Sequence, residues 1–102
     1  MAQVTYSESA FVDFDRLIDF LLGAEAPQAA YIADLITEAV GILANHPLIG
    51  RAVEGGLREL VISHGRSAYI ALYSYESAHD TVLVLAIRHS REAGYSSGEP
   101  EF

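Results

Sequence analysis

The sequence predicts an α+β fold of two layers, in which an antiparallel helical hairpin packs on an antiparallel β-sheet in the order β-α-α-β-β-β. Three observations lead there. Two stretches in the first half repeat their apolar residues at three- and four-residue steps, as helices do. Three runs rich in Val, Ile, Leu and Tyr follow, Leu57–Ser63, Ser67–Tyr75 and Thr81–His89, separated by the short polar segments 63–66 and 76–80. Each set has an apolar side that only the other set is large enough to cover.

In chain order, Gln3–Tyr6 is a short strand candidate. Ser7 suits a helix N-cap, and Glu8 after it suits the positive end of the helix dipole. Phe11, Phe14, Ile18, Leu21 and Leu22 then form the expected buried stripe, with Asp13, Asp15, Arg16 and Asp19 mostly off it and Gly23 as the stop. Pro27 fits the first turn of a second helix, whose stripe is Ile32, Leu35, Ile36, Ala39, Val40 and Leu43. Asn45-His46-Pro47 ends it, because the residue before a proline avoids the helical region. A link this short between the helices makes them antiparallel. Residues 47–56 cross to the sheet, with Gly50, Gly55 and Gly56 supplying turns.

Side chains alternate along a strand, so Ala68, Ile70 and Leu72 share one face of the middle run, and Tyr69, Ala71 and Tyr73 the other. The expectation is that the aliphatic set covers the core while the tyrosines form a second, partly polar face. The last run is apolar on both faces and belongs inside the sheet. The reading is one domain over residues 1–95 and a flexible C-terminal tail over 96–102.

Hydrophobic residues make up 51% of the chain and charged residues 20%, which excludes a disordered polymer. No apolar run is long enough to span a bilayer, and the first residues lack the pattern of a signal peptide, so no membrane partner is expected and a cytoplasmic location is. The absence of cysteine excludes disulfides and thiolate metal sites. Net charge is −8, with 14 acidic residues set against six arginines and no lysine. That balance argues against general nucleic-acid binding, which draws on a basic surface.

Position matters more than number for those arginines. In a meander the turn after the first long run lies beside the end of the last, so His64 and Arg66 are expected near Arg88, His89 and Arg91. Two readings stand: a solvated rim satisfied by Glu92 or a backbone carbonyl, or a docking spot for an acidic partner. Arg58, at the opposite end, is expected beside Tyr73, Tyr75 and Asp80, in a structural pair with Asp80 or Glu59. Tyr69, Tyr73 and Tyr75 could bind a peptide or bases, or simply cover a half-exposed sheet face. The four histidines show no ligand spacing, and neither a metal nor any cofactor is expected. The helical acids are spaced as solvent faces.

His46-Pro47-Leu48-Ile49-Gly50-Arg51, Leu57-Arg58-Glu59-Leu60, Tyr69-Ile70-Ala71-Leu72-Tyr73, Val84-Leu85-Ala86-Ile87-Arg88-His89 and Arg91-Glu92-Ala93-Gly94-Tyr95 occur in one register across residues 3–95. In this order and spacing they resemble the RelE/ParE toxin superfamily, and most of all the ParE-type plasmid-stabilisation toxins of type II toxin–antitoxin systems. The resemblance implies the same two layers, with the first strand beside the last. It implies, for RelE-like members, ribosome-dependent cleavage of mRNA by lysines on the second strand and an arginine after the tyrosine that opens the third. Here those places hold Val61, Ser63 and Ile70. Of that set only Arg91 and, with a small shift, Tyr95 match.

For ParE-type members the resemblance implies a non-enzymatic poison of DNA gyrase, silenced by a cognate ParD-like antitoxin in a hetero-oligomer. Arg88, His89, Arg91 and Tyr95 are then the candidates for toxicity. Arg58, Arg66, Tyr69 and Tyr73 are the candidates for antitoxin contact. The alternatives are a RelE-like mRNA interferase and a toxin-fold module that binds antitoxin but poisons nothing.

Overall fold

The computed structural model describes residues 1–24 and 26–92. Its strands are β1 (Gln3–Tyr6), β2 (Arg51–Val53), β3 (Leu57–His64), β4 (Ser67–Glu76) and β5 (Thr81–His89), and its helices are α1 (Glu8–Ala24) and α2 (Ala26–Gly41). One sheet runs β1-β5-β4-β3-β2, with both helices on one side of it. The implied placing of β1 beside β5 holds. That pair is parallel, so the sheet is mixed and not wholly antiparallel as expected. β2, three residues pairing with β3, was not foreseen, because so short a run carries no alternation to read.

Ser7 caps α1 as expected, its Oγ accepting the Ala10 N–H at 3.1 Å. The buried stripe of α1 is rotated from the expected one. Ala10, Asp13 and Leu17 are buried, Phe14 and Leu21 pack beside them, and Phe11 and Leu22 are exposed. Gly23 lies inside the helix and does not end it. The α2 stripe is as expected over Ile32, Ile36 and Val40, almost wholly enclosed, while Leu43, equally buried, lies in a 3-10 turn (Ile42–Ala44) just past the helix. Truncating such a side chain to alanine costs about 2–5 kcal/mol.

β5 lies between β1 and β4, which explains its apolar character on both faces. Its register against β4 slips: Leu72 faces Ala86 but Tyr73 faces Val84, so Leu85 is an extra residue. A bulge of this kind takes backbone groups out of the ladder. Here α1 supplies partners. Ser7 Oγ donates to the Leu85 carbonyl at 3.2 Å, and Asp13 Oδ2 accepts the Ile87 N–H at 2.9 Å. Asp13 is therefore wholly buried, against the expectation of a solvent-facing acid, because an N–H displaced by the bulge needs an acceptor.

The expected assignment of the β4 faces is reversed. Tyr69, Ala71 and Tyr73 join the core beneath the helices, while Ile70 and Leu72 lie on the opposite face. The physical reason is the Tyr73 hydroxyl. It donates to the Pro47 carbonyl at 2.8 Å and accepts the Gly50 N–H at 2.9 Å, so the ring is enclosed without an unsatisfied polar group. No helix among the described residues is long and apolar enough to cross a membrane.

Candidate functional site

Two adjoining clefts open where α1 meets the end of the sheet that carries the β3–β4 turn. The larger, of about 600 Å³, is floored by Leu17, Phe20, Leu21 and Tyr69, with His89 and Arg91 on its rim. The smaller, of about 300 Å³, is edged by His64, Arg66 and Gln28. Leu21, Ser67 and Tyr69 line both, so the two clefts are neighbours.

Each rim residue has a local reason for its place. The β3–β4 hairpin closes through Gly65 and Arg66, and Gly65 takes φ 60°, the left-handed region that such a tight turn requires. That carries Arg66 to the tip, exposed. Behind it the His64 ring leans on Tyr31 of α2, their centroids 5.2 Å apart. The ladder extends one step past β5, as the Ser90 N–H donates to the Ala68 carbonyl. The His89 ring meets Tyr69 edge-on at 5.2 Å. Its Nδ1 accepts the Arg91 N–H at 3.1 Å, which leaves the proton of a neutral ring on Nε2. Burial raises the pKa of the Tyr69 phenol above its usual value.

Glu92 is held by two elements. Its carboxylate accepts from the His89 N–H at 2.9 Å and pairs with Arg16 of α1 at 3.2 Å. Arg16 also lies 3.8 Å from Asp13, so a chain of charges runs from the bulge to the cleft. Arg66 and Arg91 pair with no carboxylate among the described residues.

Of the expected gathering, His89 and Arg91 line one cleft and His64 and Arg66 the adjoining one, with Tyr69 common to both, while Arg88 lines neither. Arg88 shares a row with Ile70 and Val61 on the face away from the helices. Its Nη1 donates to the carbonyls of His89, Ser90 and Glu92, at 3.3, 3.4 and 3.1 Å, and so fastens the turn after β5. The solvated-rim reading therefore describes Arg88, through carbonyls, while Glu92 serves Arg16. Tyr95 lies outside the described residues.

At the opposite end, the expected pairing of Arg58 with Asp80 or Glu59 does not occur. Arg58 Nη1 donates to the Gly50 carbonyl at 2.7 Å and to that of Leu48 at 3.1 Å. Glu59 pairs with Arg51, and Asp80 accepts from Tyr75. Tyr73 is 0% exposed and has both hydroxyl bonds satisfied internally, so it offers no contact surface to a partner. Sequence reasoning missed Arg16, set aside as solvent-facing. Its spacing from Asp13, and that of Asp13 between Ala10 and Leu17, was the available signal. Among the described residues no three His, Asp or Glu side chains converge as metal ligands would.

A family model described as the ParE toxin of the type II toxin–antitoxin system parDE matches residues 4–94. The chain belongs to the ParE toxin family. Among curated ParE/RelE relatives, toxin RelE3 of Caulobacter vibrioides is 37% identical over 93 residues, covering 90% of this chain and 98% of that one. Toxin RelE1 of the same organism is 37% identical over 70 residues, 69% of this chain and 75% of that one. The ParE fold is shared with a chain of the chromosomal ParDE system of P. aeruginosa, at a TM-score of 0.72 and 23% identity, covering 85% and 94% of the two chains. A chain of the toxin–antitoxin complex RelBE2 from Mycobacterium tuberculosis is more distant, at a TM-score of 0.57 and 22% identity over 86% and 96%.

Proposed function

We propose that this ParE-family toxin acts by binding, as a non-enzymatic poison of DNA gyrase, and is silenced by a cognate ParD-like antitoxin. The observation that carries the reading is the row Val61–Ile70–Arg88 across three strands on the face away from the helices. Val61 and Ile70 stand where RelE-like nucleases carry cationic groups, and the Arg88 guanidinium is engaged by three carbonyls. Cleavage through a 2′-hydroxyl needs a base, an acid and cationic stabilisation of the phosphorane. Two apolar side chains in that row supply none of these. A charge of −8 further disfavours an RNA substrate.

The antitoxin half rests on the family and on the toxin–antitoxin systems in which the structural neighbours were solved. Arg91, His89 and the undescribed Tyr95 remain the proposed toxicity determinants, with Arg66 and Tyr69 as proposed antitoxin contacts. The test is a supercoiling assay with purified gyrase. Inhibition at stoichiometric toxin, relieved by antitoxin, is the expected result. The names of the curated relatives favour a second reading, ribosome-dependent mRNA cleavage. Message cut in a stalled ribosome, with gyrase unaffected at toxin excess, would replace the first reading by the second.

A further inference from the structure

The hydroxyls of two β4 tyrosines have partners and that of the third does not. Tyr73 is bonded to Pro47 and Gly50, and Tyr75 to Asp80, whereas the Tyr69 hydroxyl makes no hydrogen bond among the described residues. Yet Tyr69 is only 5% exposed, and what is exposed opens into the clefts, both of which it lines. A buried phenol normally finds a partner. Near it in the larger cleft stand further donors without an acceptor among the described residues, the Nε2–H of a neutral His89 ring and the Arg91 guanidinium. The one carboxylate among the described lining residues, that of Glu92, is already held by Arg16 and the His89 N–H. Beside the donors lies the apolar floor of Leu17, Leu21 and Phe20, the last 72% exposed.

From this arrangement we propose that the larger cleft is a binding site for a small amphiphilic carboxylate, its head on Tyr69, His89 and Arg91 and its apolar body along Leu17, Phe20 and Leu21. A set of donors with no free acceptor selects an oxyanion, because only an acceptor-rich group satisfies all of them. One guanidinium beside one neutral imidazole, with Glu92 close by, matches a single negative charge better than the nearly double charge of a phosphate monoester. The volume of about 600 Å³ lies within the range of roughly 300–1,000 Å³ for small-molecule pockets, which are mostly apolar with a few converging polar groups. The site therefore fits a medium-chain fatty acid or an arylalkanoic acid, which share one carboxylate on an apolar tail. The inference stands apart from the gyrase and antitoxin readings, since it asks only for the cleft.

The experiment titrates the full chain with decanoate and with 4-phenylbutyrate, both below micellar concentration, by calorimetry and by the amide chemical shifts of Tyr69 and His89. Matched probes are acetate, which has the head alone, decyltrimethylammonium, which has the body with the opposite charge, and decyl phosphate. Saturable binding of a carboxylate is expected, with a dissociation constant on the order of 100 µM at the efficiency of small ligands. The matched probes should each bind more weakly, acetate and the cation by at least about tenfold. Tyr69→Phe, which keeps the ring, should weaken carboxylate binding about five- to tenfold. Arg91→Gln should do the same and remove most of the salt dependence. Phe20→Ala should weaken decanoate about threefold. Arg51→Gln, on the far edge strand, should leave binding within about twofold, as exposed charges away from a contact do.

Thermal melting of each variant without ligand checks folding. Phe20 and Arg91 are exposed, so their variants keep the test open even if Tyr69→Phe is unstable. No saturable binding of either carboxylate at millimolar concentration overturns the proposal, as does equal binding by Arg91→Gln and wild type. Equal uptake of decyltrimethylammonium reduces the site to adsorption on an apolar surface, and tighter binding of decyl phosphate overturns the choice of head. If the protein alone dimerises and Phe20→Glu makes it monomeric, a second copy covers the floor and the ligand assignment falls.

Discussion

The Tyr73 hydroxyl and the Gly50 amide lie 2.9 Å apart, and this contact decides which face of β4 becomes the core. A Cβ added at Gly50 would sit 2.7 Å from the Tyr73 ring and hydroxyl and 2.8 Å from the Glu59 carbonyl. Only glycine allows the approach. Tyr73→Phe leaves the Gly50 N–H and the Pro47 carbonyl without their buried partner and should cost about 1–3 kcal/mol. Gly50→Ala should cost at least as much, because backbone as well as ring must shift. Urea unfolding of the two variants and their double tests this. Losses well short of additive are expected, since both remove the same contact.

Asp13→Ala should destabilise by about 2–4 kcal/mol, since it strips the Ile87 N–H of its acceptor and Arg16 of a neighbouring charge. Asp13→Asn, which can still accept, should lose less. Amide hydrogen exchange at Ile87 gives the site-specific readout: protection should fall in the alanine variant and largely survive in the asparagine one.

Arg58→Ala should loosen the 48–50 loop by removing the donor to its two carbonyls, at a cost of about 1–3 kcal/mol. Arg58→Glu should be worse, since a carboxylate facing two carbonyls repels them. If the alanine variant unfolds like wild type in urea but loses antitoxin affinity, Arg58 is a partner contact and not a loop clamp.

Alkali should unfold the protein through its tyrosines. Burial raises the pKa values of Tyr6 and Tyr69 above the usual 10.0, and at Tyr75 the hydrogen bond to Asp80 acts first, with desolvation adding to it. The unfolded chain then loses these protons before the folded one does. Their stabilisation is complete below pH 10 and is lost as pH rises through the folded values. A phenolate titration followed by ultraviolet absorbance should run late in the native protein, and Tyr69→Phe should remove one late component.

Much of this was legible because it was local. The Ser7 cap, the α2 stripe and the bounds of β5 follow from periods of 3.6 and 2 that neighbouring residues display. What failed depended on distant partners. Tyrosine on a strand reads as polar unless its hydroxyl is known to reach a loop 23 residues away. Asp13 reads as solvated unless the bulge opposite is known. The cationic cleft was half legible, since hairpin geometry placed Arg66 near His89. Alternation puts Arg88 and His89 on opposite faces of β5, so only one of the two neighbours can turn toward the cleft. Arg16 entered from a helix whose rotation the sequence did not reveal.

The stitch between Ser7 and Leu85, 78 residues apart, has a consequence for how the molecule comes into being. β1 and the core face of α1 cannot find their places until β5 has been made, because β5 is the strand to which β1, β4 and α1 are all joined. Such late closure makes for slow assembly and leaves bare edges in the interval. Until β5 is in place, the edges of β1 and β4 lack their shared neighbour and the incomplete chain is open to misassociation.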